Sequence, residues 1–179
     1  MTGGAPRSAL LIEREGVLID PGWTAPGEIR LMPGAAAAIA RFALAGVPVA
    51  VVTDRWLAAH GGADFAASQR RVDELLAAAG ARLAGVWHAP SAGHAWVKPR
   101  AGMLLTAAKA LGCELPASWL IGASLDDAHA AALAGLAGAV LIGADPPATD
   151  LGIVCARAES LADAPRAMVP RDGGCWHQH

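Results

Sequence analysis

The chain predicts a doubly wound α/β domain built on a parallel sheet. Five short apolar runs recur along it, each bounded by glycine, proline or a polar cluster: Ala9–Ile12, Val47–Thr53, Leu83–Trp87, Ser118–Gly122 and Gly138–Ile142. None shows the apolar/polar alternation of a half-exposed strand, which suits strands buried on both faces. Helical stretches separate the runs, and strand alternating with helix gives βαβ units. Right-handed crossovers then place helices on both faces of one sheet.

Each helical stretch has its own signals. Pro33–Ala45 carries Ile39, Phe42 and Ala43 on one face, with Pro33 at a first helical position that needs no N–H. Phe65–Ala79 repeats apolar residues at Val72, Leu75, Leu76 and Ala79 and stops at Gly80. Arg100–Leu111 stops at Gly112, and Asp126–Leu133 ends near Gly135. A weaker run, Gly152–Ala156, followed by Ser160–Val169, reads as a final strand and helix. Residues 1–169 form one domain in this reading, and 170–179 are a loose tail.

Bulk properties narrow the function. At 179 residues the chain is long enough for a full core. A net charge of −2 with no basic run points away from nucleic acid and from a membrane surface. Three widely spaced cysteines suit a reduced compartment better than a disulfide framework. No apolar stretch of signal-peptide length precedes the first acids, so a cytoplasmic location is expected. The charge-free stretch between Asp127 and Asp145 falls short of a membrane span and reads as helix, turn and buried strand.

Ligands of doubly wound sheets bind beyond the carboxyl ends of the strands. The residues there are Glu13, Glu15 and Gly16 after the first run, and Thr53, Asp54 and Arg55 after the second. Ala123, Ser124, Asp126 and Asp127 follow the fourth, and Lys98 precedes Pro99 at the entry to a helix. Acids, a hydroxyl and a lysine on one sheet edge suit phosphoryl transfer. One carboxylate attacks phosphorus, a second moves the leaving-group proton, and Thr and Lys hold phosphate oxygens. Two carboxylates also suffice to tether Mg²⁺, which keeps most of its waters. Backbone amides after Glu13 offer a cradle for phosphate.

Four segments resemble motifs of the haloacid dehalogenase (HAD) superfamily, in the branch of the heptose bisphosphate and histidinol phosphatases. EREGV at Glu13–Val17 matches that family's DRDGV, and VVTDR at Val51–Arg55 matches VVTNQ. KPRAGM at Lys98–Met103 matches KPxPGM, and IGASLDD at Ile121–Asp127 falls on VGDxxxD. The resemblance runs from about residue 8 to 169, with the motifs in order. It implies a Rossmann-like core without a large cap domain, the segment from Asp20 to Met32 serving as a flap. It also implies Glu13 as nucleophile or metal ligand, Glu15 as general acid/base, Thr53 and Lys98 on the phosphate with Lys98 also in the catalytic set, and Asp127 as a second metal ligand.

The departures matter as much. Both motif aspartates are glutamates, and a metal-ligating aspartate is replaced by Ala123. The segment His88–Val97 has no cysteine, so the family's zinc loop is absent. Arg55 has no family counterpart and is a candidate contact for an anionic ligand; Trp56 is a candidate stacking surface. An added methylene moves a carboxylate by more than ~1 Å, and misplacement of that size costs about 10²-fold in an in-line reaction. The expectation is impaired or lost phosphatase activity on a weakened Mg²⁺ site, leaving a binder of small phosphorylated ligands or of a protein partner. The alternative is an active Mg²⁺-dependent phosphatase for a small sugar phosphate. Cys175, His177 and His179 in the tail form a weak metal-binding pattern.

Overall fold

The computed structural model describes residues 7–54 and 65–169. Six strands form one all-parallel sheet: β1 (Leu10–Ile12), β2 (Val49–Thr53), β3 (Gly85–His88), β4 (Trp119–Gly122), β5 (Gly138–Ile142) and β6 (Val154–Ala158). Their spatial order is β3-β2-β1-β4-β5-β6. Strand order therefore reverses between β1 and β4, which pair directly, Ile12 opposite Ile121. That reversal opens the crevice in which such sheets bind ligands.

Helices cover both faces, as continuous apolar strands require. Leu10, Ile12, Val49, Val51, Trp119 and Ile121 face α1 (Ala35–Leu44) and α2 (Phe65–Ala78), meeting Ile39, Phe42, Val72 and Leu76. The intervening residues Leu11, Ala50, Val52 and Leu120 face α3 (Gly102–Leu111) and α4 (Leu125–Ala134), meeting Met103, Leu104, Ala107 and Ala131. Alternate side chains point to opposite faces of a strand, so every residue of β1 is buried.

Several elements differ from the expectation. Helix α1 begins at Ala35, because a turn in which the Ala35 N–H donates to the Met32 carbonyl at 3.0 Å precedes it and leaves Pro33 outside. Strand β3 is half-buried throughout, since it lies at the sheet edge. Strand β6 lies two residues later than expected. The last helix, α5, covers only Ala164–Ala167 with Pro165 in its first turn. A proline has no N–H for the preceding turn, which is why no helix runs back to Ser160.

No cap domain interrupts the described residues. The flap after β1 is a tight loop: the Asp20 N–H donates to the Arg30 carbonyl and the Met32 N–H to the Leu18 carbonyl. Its residues Trp23 and Ile29 are buried in the core. Among the described residues no helix is long and apolar enough to cross a membrane.

Candidate active site

The chain leaves β1 at Ile12 and turns at once. Gly16, at φ 82°, takes the left-handed conformation that side chains disfavour, and its N–H donates to the Ile19 carbonyl at 2.9 Å. The turn holds Glu13 and Glu15 at the carboxyl edge of the sheet. Glu13 is tied to β4 as well, its N–H donating to the Ile121 carbonyl at 2.8 Å. Thr53 ends β2, Lys98 arrives from the turns before α3, and Asp127 sits in the first turn of α4.

These five side chains meet in the interior. Glu13, Thr53 and Asp127 have no exposed surface, and Glu15 and Lys98 keep 3% and 5%. The Lys98 ammonium donates to Glu13 Oε2, to Asp127 Oδ1 at 2.6 Å and to the Val52 carbonyl at 3.2 Å. Thr53 Oγ1 donates to Glu15 Oε2 at 2.9 Å. The second Asp127 oxygen accepts from the Ala123 N–H at 2.9 Å, the Ser124 N–H at 3.1 Å and Ser124 Oγ at 2.8 Å.

Burial sets the charge states. Loss of solvent pushes the Glu13 carboxyl up to about 7, Lys98 pulling it back only in part and Asp127 adding to the rise. Burial also acts against charged Asp127, but the Lys98 ammonium, the Ala123 amide and the Ser124 hydroxyl outweigh it and hold it below the usual aspartate range. Burial lowers Lys98 too; Asp127, Glu13 and Asp54 more than compensate, and it stays protonated above the ordinary lysine range.

Three contributors carried no assigned role in the sequence. Arg14, between the two glutamates, would point to solvent on a simple strand end. Instead it is fully buried, its Nη1 donating to Glu15 Oε1 at 2.7 Å and its Nη2 to Ser68 Oγ on α2 at 2.9 Å. Its guanidinium also lies 5.1 Å from the Phe65 ring centroid and 5.7 Å from that of Trp23. Burial pulls its pKa down, with Glu15 opposing. No local signal in EREG announces this, because Ser68 lies 54 residues away. Asp54 accepts from the Lys98 N–H at 2.6 Å and lies 3.7 Å from its ammonium. Ser124 caps α4 in a reciprocal pairing with Asp127, and the spacing Ser-x-x-Asp was a signal for it.

Other expectations fare differently. Asp126 is exposed on α4 and does not join the cluster. Arg55, Trp56, Cys175, His177 and His179 lie outside the described residues. The amides expected to cradle phosphate are partly used internally: the Arg14 N–H donates to Glu13 Oε1 at 2.7 Å and that of Gly16 to Ile19. Glu13 side-chain length makes this possible, since its carboxylate curls back to the next amide.

Divalent-ion fit follows from the same bonds. Mg²⁺ demands near-octahedral oxygen ligands and is usually bound through one or two free carboxylates. Here both Glu13 and Asp127 face the Lys98 ammonium, and no group of three His, Cys, Asp or Glu side chains among the described residues could hold a metal. As arranged, these residues do not fit a resident Mg²⁺.

A parallel sheet with a reversal at β1/β4, two acids after β1, a Thr after β2, and a Lys–Asp pair beyond is the core of a HAD-type phosphatase fold. Comparison with known proteins agrees. The D-glycero-β-D-manno-heptose-1,7-bisphosphate 7-phosphatase of Mesorhizobium japonicum is 38% identical over 144 residues, 72% of this chain and 66% of that enzyme, so the chain spans just under two thirds of it. The enzyme of the same name from Photorhabdus laumondii is 30% identical over an alignment of 185 positions, which covers 94% of this chain and 97% of that enzyme. Among solved structures, the D,D-heptose 1,7-bisphosphate phosphatase of B. bronchiseptica, complexed with magnesium and phosphate, superimposes with a TM-score of 0.71 at 27% identity, over 87% of this chain and 95% of its own. No protein-family model matches the chain. The chain belongs to the HAD superfamily, in the family of the heptose 1,7-bisphosphate phosphatases.

Proposed function

We propose that this chain is a slow phosphomonoester hydrolase acting on a small sugar phosphate. The observation that carries the reading is the meeting of Glu13, Glu15, Thr53, Lys98 and Asp127, from four separate segments, at the carboxyl edge of the sheet beside the strand-order reversal. The likeness to heptose bisphosphate phosphatases supports the substrate class. In this reading a Glu13 oxygen attacks phosphorus as the ester P–O bond breaks, and Glu15 gives its proton to the leaving oxygen. Water, deprotonated by Glu15, then cleaves the acyl phosphate and restores Glu13. Thr53 and Lys98 supply donors to the phosphoryl oxygens. The rate is low because both glutamates reach one methylene further than the family's aspartates, a displacement of the size that costs about 10²-fold.

One observation favours a second reading, phosphorylated-ligand binding without turnover: both oxygens of Glu13 and both of Glu15, the acids that would attack and move the proton, already accept hydrogen bonds within the protein. Phosphate release from a panel of sugar phosphates separates the two. Turnover that disappears in Glu13→Ala supports hydrolysis. No release by the natural chain, with phosphate or vanadate still binding, overturns it in favour of binding alone.

A further inference from the structure

The three buried acids present six carboxylate oxygens, and each already has a donor. Glu13 Oε1 accepts from the Arg14 N–H and Oε2 from Lys98. Glu15 Oε1 accepts from Arg14 Nη1 and Oε2 from Thr53. Asp127 Oδ1 accepts from Lys98, and Oδ2 from Ala123 and both Ser124 donors. The side chain at position 123, just past β4, is a methyl group.

We infer that the Lys98 ammonium is the permanent cation joining Glu13 to Asp127, and that this pocket does not recruit Mg²⁺. A divalent ion entering between Glu13 and Asp127 would displace the ammonium from both. Lys98 would then be left nearly buried, with the Val52 carbonyl at 3.2 Å and the Asp54 carboxylate at 3.7 Å as its remaining partners. Stripping a buried charge of its counter-charges is strongly unfavourable. Two cations cannot share the same pair of carboxylates at close range without repelling each other. Reluctance to shed water weighs further against Mg²⁺, because the oxygens of Glu13, Glu15 and Asp127 already have donors and Ala123 offers no carboxylate to repay the dehydration. A lysine, by contrast, is tethered covalently and needs no free concentration.

The inference rests on the cluster being the ligand pocket of the proposed function, and its test is independent of turnover. MgCl₂ is titrated calorimetrically into the full natural chain and into Ala123→Asp, with thermal midpoints recorded in parallel. The natural chain is expected to show no binding heat and no shift in midpoint at millimolar Mg²⁺. Ala123→Asp, with a carboxylate restored, is expected to bind and to rise by a few degrees, since an ion that binds only the native state stabilises it. Millimolar or tighter binding by the natural chain overturns the inference, as does loss of its vanadate binding in EDTA. Failure of both proteins to bind overturns the assignment of position 123 as the missing ligand. Mn²⁺ electron paramagnetic resonance gives the same reading with a second probe. Phosphate release, assayed separately with EDTA, tests hydrolysis: a chain silent in every buffer and unresponsive to Mg²⁺ overturns the hydrolytic reading alone.

Discussion

Asp127 occupies the space that a side chain on Gly122 would need. A Cβ at Gly122 would lie 2.3 Å from Asp127 Cβ and 2.6 Å from its Oδ2. Strand β4 ends in glycine so that the first turn of α4 can lay its carboxylate against the sheet edge. Gly122→Ala should therefore destabilise the chain by about 2 kcal/mol, the usual range for overpacking a tight site. Gly93→Ala, where a Cβ meets nothing within 4 Å, is the control. Urea unfolding checks both, and a neutral Gly122→Ala would place Asp127 elsewhere.

Glu13 should make stability depend on pH in a defined direction. Its carboxyl titrates near 7 in the folded chain against an ordinary value of 4.5. Between those values the native state holds a proton that the unfolded chain has released, so stability falls as pH rises through the window. At about 1.36 kcal/mol per unit, the loss across it is roughly 3 kcal/mol. Asp127, held low, acts oppositely: its contribution is present above the ordinary aspartate value and is lost as pH falls through its folded value. Urea midpoints measured across the window should slope downward for the natural chain and lie flat for Glu13→Gln. Parallel slopes would show that Glu13 is not the group responsible.

Arg14 joins the turn after β1 to α2 and packs beside Trp23 of the flap, so its loss should be felt in several places. Arg14→Met removes a fully buried cation bonded to Glu15 and Ser68, and a destabilisation of about 3 kcal/mol is expected. Ser68→Ala, removing one hydrogen-bonding hydroxyl, should cost about 1 kcal/mol. Arg14→Lys should recover little, because an ammonium does not reproduce the planar fork that reaches Glu15 and Ser68 together. Chemical denaturation ranks the three. Equal stabilities for Arg14→Met and the natural chain would mean the guanidinium sits in solvent.

Restoring short carboxylates should restore rate. Glu13→Asp, Glu15→Asp and Ala123→Asp combined should raise phosphate release from the best substrate of the panel by at least ~10²-fold in the presence of Mg²⁺. The gain should fall mainly in kcat, because the changed groups act on the reacting phosphorus and its leaving oxygen. A triple variant no faster than the natural chain would place the limitation outside these three positions.

Much of the architecture was legible because its cause is local. Buried strands read as unbroken apolar runs, and Leu10–Ile12 and Gly138–Ile142 need nothing distant to be recognised. The last helix misled because Ser160–Val169 is apolar enough for a helix while Pro165 restricts where one begins. Edge position, as for β3, depends on which strands pair and is absent from any single run.

The same division runs through the site. Sequence by itself determined which residues stand at the strand ends, and Glu13, Glu15, Thr53, Lys98 and Asp127 all meet there. It could not determine what each carboxylate touches. Thr53 reaches Glu15 across 38 residues, Lys98 reaches Glu13 across 85, and Arg14 turns inward to meet Ser68 rather than outward to water. Those partners fix whether an acid is charged, neutral or free to bind a metal, because a buried carboxylate takes its properties from the nearest donors and cations. Only the tertiary structure brings these donors together.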